Sequence, residues 1–353
     1  MNGIRLLIAD NSPVYKKMFA QAAIELDKSA KVAYALNCSE ALDSIKRHNY
    51  DVIVIDTEIS GLDMALFLNN VMRQIPKALV FATAQPSSVS DKLCAEAMAK
   101  GAFNYMVKPI HNSYSANFDF VKGKMSDLFK VVHEVHEKKK KRTAIEPVKV
   151  NGKFQPEIVL IAVSTGGPMA LENILSKLPE DFPVPILVVQ HMPAPFIKML
   201  AHHLNQKSRL KVKVAEDNER VVGGTVYIAV GEMHMKLDAK NRIQLDDSPP
   251  LNNIRPAADI LFESVAESFT GSGVLAVILT GMGNDGERGL AALKQKQNCF
   301  CLAQSEETCV VYGMPCAAME ARLVDKILDL DKISSEVESF NYTPMQMQRK
   351  KVE

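Results

Sequence analysis

Ile158–Pro168, IVLIAVSTGGP, decides how the second half of this chain is read. An apolar run rich in β-branched residues stops at Ser164. Thr165, Gly166 and Gly167 follow, and a segment of helical periodicity begins soon after. The pattern predicts strand, tight turn, helix start. A serine on such a turn is held off the strand end with its hydroxyl exposed, near the free N–H groups of the next helix. That placement suits a nucleophile in an α/β hydrolytic domain.

The chain around this stretch has 353 residues, too many for one ordinary core and enough for two domains. Apolar residues make up 47% and charged residues 24%, an ordinary globular composition. A formal net charge of +1 gives no support for a nucleic-acid-binding surface. The six cysteines form no CxxC pair, and their scatter suits reduced thiols in a cytoplasm. Cys299 and Cys301 have no histidine cluster beside them, so no metal site is expected there. No apolar stretch approaches the ~20 residues that span a bilayer. The N-terminus does not read as a signal peptide. The expectation is a cytoplasmic protein without membrane insertion.

Before Ile158 the pattern alternates strand and helix. Strands are expected at Ile4–Ala9, Lys31–Leu36, Asp51–Ile55, Ala78–Thr83 and Phe103–Val107. Helices are expected from Ser12 or Pro13 to Leu26, at Ser39–Arg47, around Leu66–Met72 and at Val89–Lys100. Five such units make a compact parallel sheet with helices on both faces. Asp10, Asp56, Thr83 and Lys108 then fall at or just past the C-terminal ends of strands, the edge where open α/β sheets bind ligands. Carboxylates there can hold a hard cation such as Mg²⁺. A hydroxyl and an ammonium nearby can stabilise phosphoryl oxygens, with Asp56 as acceptor.

In that order these residues resemble the site of a response-regulator receiver domain. The resemblance implies a (βα)5 flavodoxin-like fold, Asp56 as phosphoacceptor, and a site of Asp10, Asn11, Thr83 and Lys108. It also implies Mg²⁺ on Asp10 and Asp56. Two departures stand out. Asn11 replaces the second of two adjacent acids, which removes a charge and weakens Mg²⁺. The segment after Asp56, TEISGLDM, lacks the Pro near Ser60 and the Gly near Met64 that are usual in receivers.

From Asn112 to Lys141 apolar residues recur at helical spacing, predicting a long last helix that ends in the basic run Lys138–Arg142. Residues 142–156 lack periodicity and contain Pro147, Gly152 and Pro156, the mark of a linker. Domains are therefore set at 1–141 and 157–330, with 331–353 as a C-terminal tail.

Past Ser164 the expectation is a doubly wound, mostly parallel sheet. Its strands are Pro185–Gln190, Leu210–Val214, Thr225–Val230, Val274–Leu279 and Cys299–Ala303, with a hairpin at Met235–Leu237 and Arg242–Leu245. Ala317–Leu330 is expected as a closing helix. Ser164, His191 and Asp285 each end or follow a strand. A serine hydroxyl needs a base to take its proton, histidine serves near neutral pH, and an aspartate fixes the imidazole. The glycines of TGMGNDGERG around Asp285 can present backbone N–H groups, either to an oxyanion or to a phosphate. No P-loop lysine follows, and STGG lacks the dinucleotide fingerprint.

VSTGGP (Val163–Pro168), QHMP (Gln190–Pro193), SPPLNNIRP (Ser248–Pro256), LTGMGNDG (Leu279–Gly286) and AQSEETCVVYGMP (Ala303–Pro315) together resemble the catalytic domain of the chemotaxis protein-glutamate methylesterases. The resemblance implies Ser164 as nucleophile, His191 as base and Asp285 as third member. Thr165 and the backbone at Met282 would serve the oxyanion. The substrate would be glutamyl γ-methyl esters on methyl-accepting chemoreceptors, with glutamine deamidation beside it. The phosphodonor would be the chemotaxis histidine kinase. Ester hydrolysis needs no cofactor, and a monomer is expected. Control by occlusion, with the unphosphorylated receiver half over the Ser164 edge, is a further expectation. Ala162 stands where a Gly is frequent, and Cys316 where a polar residue is frequent.

Overall fold

A computed structural model of the chain describes residues 3–75, 78–87, 90–111, 113–138, 154–252 and 254–340. The chain divides into two compact units, residues 1–143 and 144–353.

The first unit alternates β1 (Arg5–Ala9), α1 (Pro13–Leu26), β2 (Lys31–Ala35), α2 (Cys38–Arg47), β3 (Val52–Asp56), α3 (Met64–Gln74), β4 (Leu79–Ala84), α4 (Ser90–Ala99), β5 (Asn104–Val107) and α5 (Tyr114–Lys138). The strands form one parallel sheet in the order β2-β1-β3-β4-β5. β3 and β4 are wholly buried, as their unbroken apolar runs require of strands covered on both faces. α1, α2 and α3 start on side-chain caps. Ser12 accepts from Tyr15 N ahead of Pro13, and Asp63 accepts from Leu66 N at 3.0 Å. Asn37 accepts from Glu40 N at 2.9 Å, so α2 opens one residue before the expected Ser39. The basic run after Lys138, the expected helix start at Val89 and residues 142–153 of the expected linker lie outside the described residues.

The second unit contains β6 (Ile158–Val163), α6 (Gly167–Leu175), β7 (Ile186–Gln190), α7 (Ala194–Lys207), β8 (Lys211–Val214), β9 (Thr225–Ile228), β10 (His234–Leu237), β11 (Ile243–Asp246), α8 (Ala258–Ser268), β12 (Val274–Ile278), α9 (Glu287–Lys296), β13 (Cys299–Gln304), α10 (Met314–Glu320), β14 (Lys326–Leu328) and α11 (Leu330–Ser339). Its main sheet has seven parallel strands ordered β14-β13-β12-β6-β7-β9-β8, and β10 and β11 form the expected hairpin. From β6 the chain winds outward through β7, then returns to the other side of β6 at β12. The winding direction therefore reverses between β6 and β12, and α/β sheets bind ligands at such a point.

Three expectations at the ends of this unit need correction. The closing helix Ala317–Leu330 is instead α10, β14 and the start of α11. Arg322 takes φ 59°, and Leu323 N donates to Ala318 O while Arg322 N donates to Met319 O. This is the hydrogen-bond pattern that ends a helix in a left-handed residue. Released there, the chain pairs Lys326–Leu328 with β13. Residues 331–339 of the expected patternless tail lie in α11, which buries Ile333 and Val337. The linker ends earlier than expected. Phe154 packs against Phe300 and Phe340 with ring centroids 5.6 and 5.4 Å away. The remaining tail residues, 341–353, lie outside the described residues.

Candidate active site and receiver site

Ser164 follows β6, and His191 follows β7. The register pairs Val163 with Gln190, so Ser164 and His191 are the next step on adjacent strands. His191 N donates to Val163 O at 3.2 Å. Between them, Gln190 Nε2 donates to Ser164 O at 2.9 Å and reaches His191 O at 3.2 Å. One buried amide thus ties the backbones of serine and histidine together. Glycine is required beside it, since a Cβ on Gly167 would lie 1.9 Å from Gln190 Oε1. Gly166 takes φ 79° to start α6, a conformation that favours glycine.

Asp285 reaches the pair from the loop after β12. Its Oδ2 lies 2.7 Å from His191 Nε2. An ionised carboxylate only accepts, so Nε2 carries the proton and Nδ1 is left as the basic nitrogen. The same carboxylate takes the first N–H groups of α8. Oδ2 accepts from Ala258 N at 2.6 Å and Oδ1 from Asp259 N at 3.0 Å. Burial would push this carboxyl up. The His191 hydrogen bond and charge, with the two N–H groups, outweigh it and hold Asp285 below the usual range. An aspartate held ionised beside an imidazole stabilises the imidazolium that forms when the base takes a proton.

The quoted segments meet at this rim. Thr280 Oγ1 lies 2.8 Å from Thr165 O and accepts from Val311 N at 3.0 Å. Gly281 N donates to Val311 O, and both Gly313 N and Met314 N donate to Gly281 O. Gly281 lies close enough to Ser164 that a Cβ there would sit 2.8 Å from its Cβ. SPPLNNIRP leads into the start of α8, where Ala257 N donates to Nδ1 of buried His234 at 3.2 Å. The methyl of Ala162 is accommodated opposite Gly286, where a Cβ would approach it to 3.3 Å. Among the described residues, the N–H groups of Thr165 and Met282 have no hydrogen-bond acceptor, and Ser164 Oγ makes no bond to His191. Catalytic hydrogen bonds are often open in ligand-free structures.

In the first unit the register pairs Asp56 with Thr83, and Lys108 follows β5. Lys108 Nζ lies 2.6 Å from Asp56 Oδ2 and 2.7 Å from Asp10 Oδ2, with all three side chains buried. Asp56 Oδ1 accepts from Glu58 N at 2.9 Å. Burial raises the Asp10 carboxyl despite Lys108. Buried Asp10 Oδ2 pairs with the Lys108 ammonium, and Thr83 Oγ1 is buried without a hydrogen-bond partner. These atoms suit a hard cation and a phosphoryl oxygen respectively. Asn11 is exposed. Tyr15, which the sequence reading did not single out, places its ring 5.2 Å from Lys108 Nζ and donates its hydroxyl to Pro109 O.

The comparisons with known proteins agree with both halves. The response regulator receiver domain model matches residues 6–114, and the CheB methylesterase model matches residues 159–337. The chain belongs to the CheB methylesterase family. It carries a receiver ahead of the family's catalytic domain. A relative from Syntrophomonas wolfei subsp. wolfei, named protein-glutamate methylesterase/protein-glutamine glutaminase 1, is 36% identical over 94% of this chain and 98% of its own length. One of the same activity name from Geobacillus kaustophilus is 35% identical over 96% of this chain and 98% of its own. The crystal structure of the Thermotoga maritima CheB methylesterase catalytic domain matches at 45% identity and a TM-score of 0.50. It covers 52% of this chain and 97% of that one.

Gln190, Thr280 and Asp259 are the residues that sequence reading missed as contributors to the site. Gln190 and Thr280 stood inside the quoted segments and Asp259 just beyond one. Nothing in their spacing distinguished a side chain that ties two loops from one that fills a core.

Proposed function

We propose that Ser164, His191 and Asp285 hydrolyse glutamyl γ-methyl esters on the cytoplasmic helices of chemoreceptors, and also deamidate receptor glutamines. The observation that carries this reading is the His191–Asp285 pair, 2.7 Å apart, beside Ser164 at the point where the sheet reverses its winding. Ser164 Oγ turns toward Nδ1 of His191 and adds to the ester carbonyl as the imidazole takes its proton. Asp285 stabilises the imidazolium. The free N–H groups of Thr165 and Met282 are aimed at the oxyanion, one such donor being worth about 3 kcal/mol. The imidazolium returns the proton to methoxide and methanol leaves. Water then hydrolyses the acyl-enzyme by the same route, giving glutamate.

The receiver unit controls this activity through phosphorylation of Asp56 by a chemotaxis histidine kinase. Asp10 and Asp56 would hold Mg²⁺, which offsets phosphoryl charge when bound. Lys108 pairs with phosphoryl oxygen and Thr83 donates its orphaned hydroxyl.

Methanol release from methylated receptor membranes, with and without a small phosphodonor and Mg²⁺, tests both parts. Wild type releases methanol and its rate changes with the donor. Asp56→Asn releases methanol at a rate the donor does not change. No release by wild type removes the esterase reading. A donor response that persists in Asp56→Asn removes the control reading.

A further inference from the structure

The triad leaves one buried carboxylate unused. Asp259 stands in the first turn of α8 and is 4% exposed. Its Oδ1 accepts from Gly286 N at 2.9 Å and from Gly289 N at 2.8 Å, the opening of α9. Asp285 does the converse, accepting from Ala258 N and Asp259 N at the opening of α8. Each helix therefore starts on a carboxylate from the other helix or from the turn that leads into it. The glycines permit the approach: a Cβ on Gly289 would lie 2.7 Å from Asp259 O, and Gly286 takes φ 95°.

Residue 259 thus holds Asp285 twice. Its N–H fixes one oxygen of the Asp285 carboxylate. Its side chain fixes the peptide N–H that immediately follows Asp285. Neither contact reaches substrate, and both decide where the carboxylate stands under the His191 ring. We propose that Asp259 is a positioning residue for the Asp285–His191 pair, acting through the turn at Gly286. The inference rests on the triad reading above.

The test uses the full chain with Asp259→Ala and Asp259→Asn. Asparagine keeps an oxygen that accepts the same two N–H groups; alanine does not. A misplacement of about 1 Å costs on the order of 100-fold, so Asp259→Ala is expected to lower kcat by roughly 30- to 100-fold while KM stays within about 2-fold. Asp259→Asn is expected to restore kcat to within about 5-fold of wild type, because the pinning bonds survive. A second readout needs no turnover: the low-field proton resonance of His191 Nε2–H in its bond to Asp285, assigned by its loss in His191→Gln. It persists in wild type and Asp259→Asn and broadens away in Asp259→Ala. A folded Asp259→Ala with wild-type kcat and an unchanged resonance overturns the proposal. So does an Asp259→Asn as impaired as Asp259→Ala. If Asp259→Ala does not fold, Asp259→Asn decides alone: retained resonance and kcat support the proposal, and loss of both contradicts it. If wild type releases no methanol, the esterase reading fails while the resonance still judges the positioning role.

Discussion

At the rim of the first sheet, Asp10 and Asp56 share the ammonium of Lys108. At the rim of the second, Asp285 is held by an imidazole and by two backbone N–H groups of α8. Both solutions keep a carboxylate in a buried place where desolvation disfavours charge. They differ in what can be exchanged. A lysine side chain is a flexible cation whose partner can be traded for phosphoryl oxygen. Helix N–H groups are fixed in the backbone, so Asp285 is built for one arrangement. The first rim suits a site that is modified and reset, the second a site that repeats one proton transfer.

The largest effects are expected where the fixed site is broken. Ser164→Ala should cut methanol release by roughly 10⁴-fold or more, and Asp285→Asn by about 10⁴-fold. Steady-state kinetics on methylated receptor membranes checks both. Equal loss on substituting a rim residue outside the triad would erase the distinction between the two rims.

A smaller effect sharpens the exchangeable site. Asn11→Asp adds back a negative charge beside Asp10, and Mg²⁺ should bind tighter by on the order of 10-fold. Titration calorimetry of the two proteins reads this. An unchanged affinity would mean that the exposed side chain at position 11 does not sense the cation.

The smallest expected effect concerns stability. Burial, with the Asp285 charge next, pushes Asp259 up from 3.8 to about 6. The folded state then holds a proton on Asp259 that the unfolded state has released. The contribution of this group to stability improves as pH falls from about 6 toward 3.8 and is lost as pH rises through about 6. Relative to Asp259→Asn, the thermal midpoint of wild type should therefore rise between pH 7 and pH 5. A constant difference across that range would contradict a raised carboxyl.

Much of the second fold was legible because strands buried on both faces read as unbroken apolar runs, and VSTGGP, QHMP and TGMGNDG mark where they end. The receiver rim was legible from four polar residues at strand ends. The C-terminal end was not. Nothing apolar marks the turn at Arg322, whose backbone takes φ 59°, so a continuous helix was expected. Lys326–Leu328 is too short to show a period. The packing of α11 depends on Ile333 and Val337, a pair too sparse to announce a buried face. In the site, residue types singled out Ser164, His191 and Asp285 as the candidates for chemistry. They did not show that Asp259 and Asp285 exchange helix starts, because that depends on two helices packing through Gly289.

In the proposed mechanism Ser164 is the nucleophile and His191 activates it. Labelling the full chain with a serine-directed phosphonate ester, followed by peptide mass spectrometry, tests it most directly. A single adduct is expected on Ser164, forming far more slowly in His191→Ala. A wild-type protein that turns over methyl ester yet carries no adduct on Ser164, or carries it elsewhere, would remove Ser164 from that role.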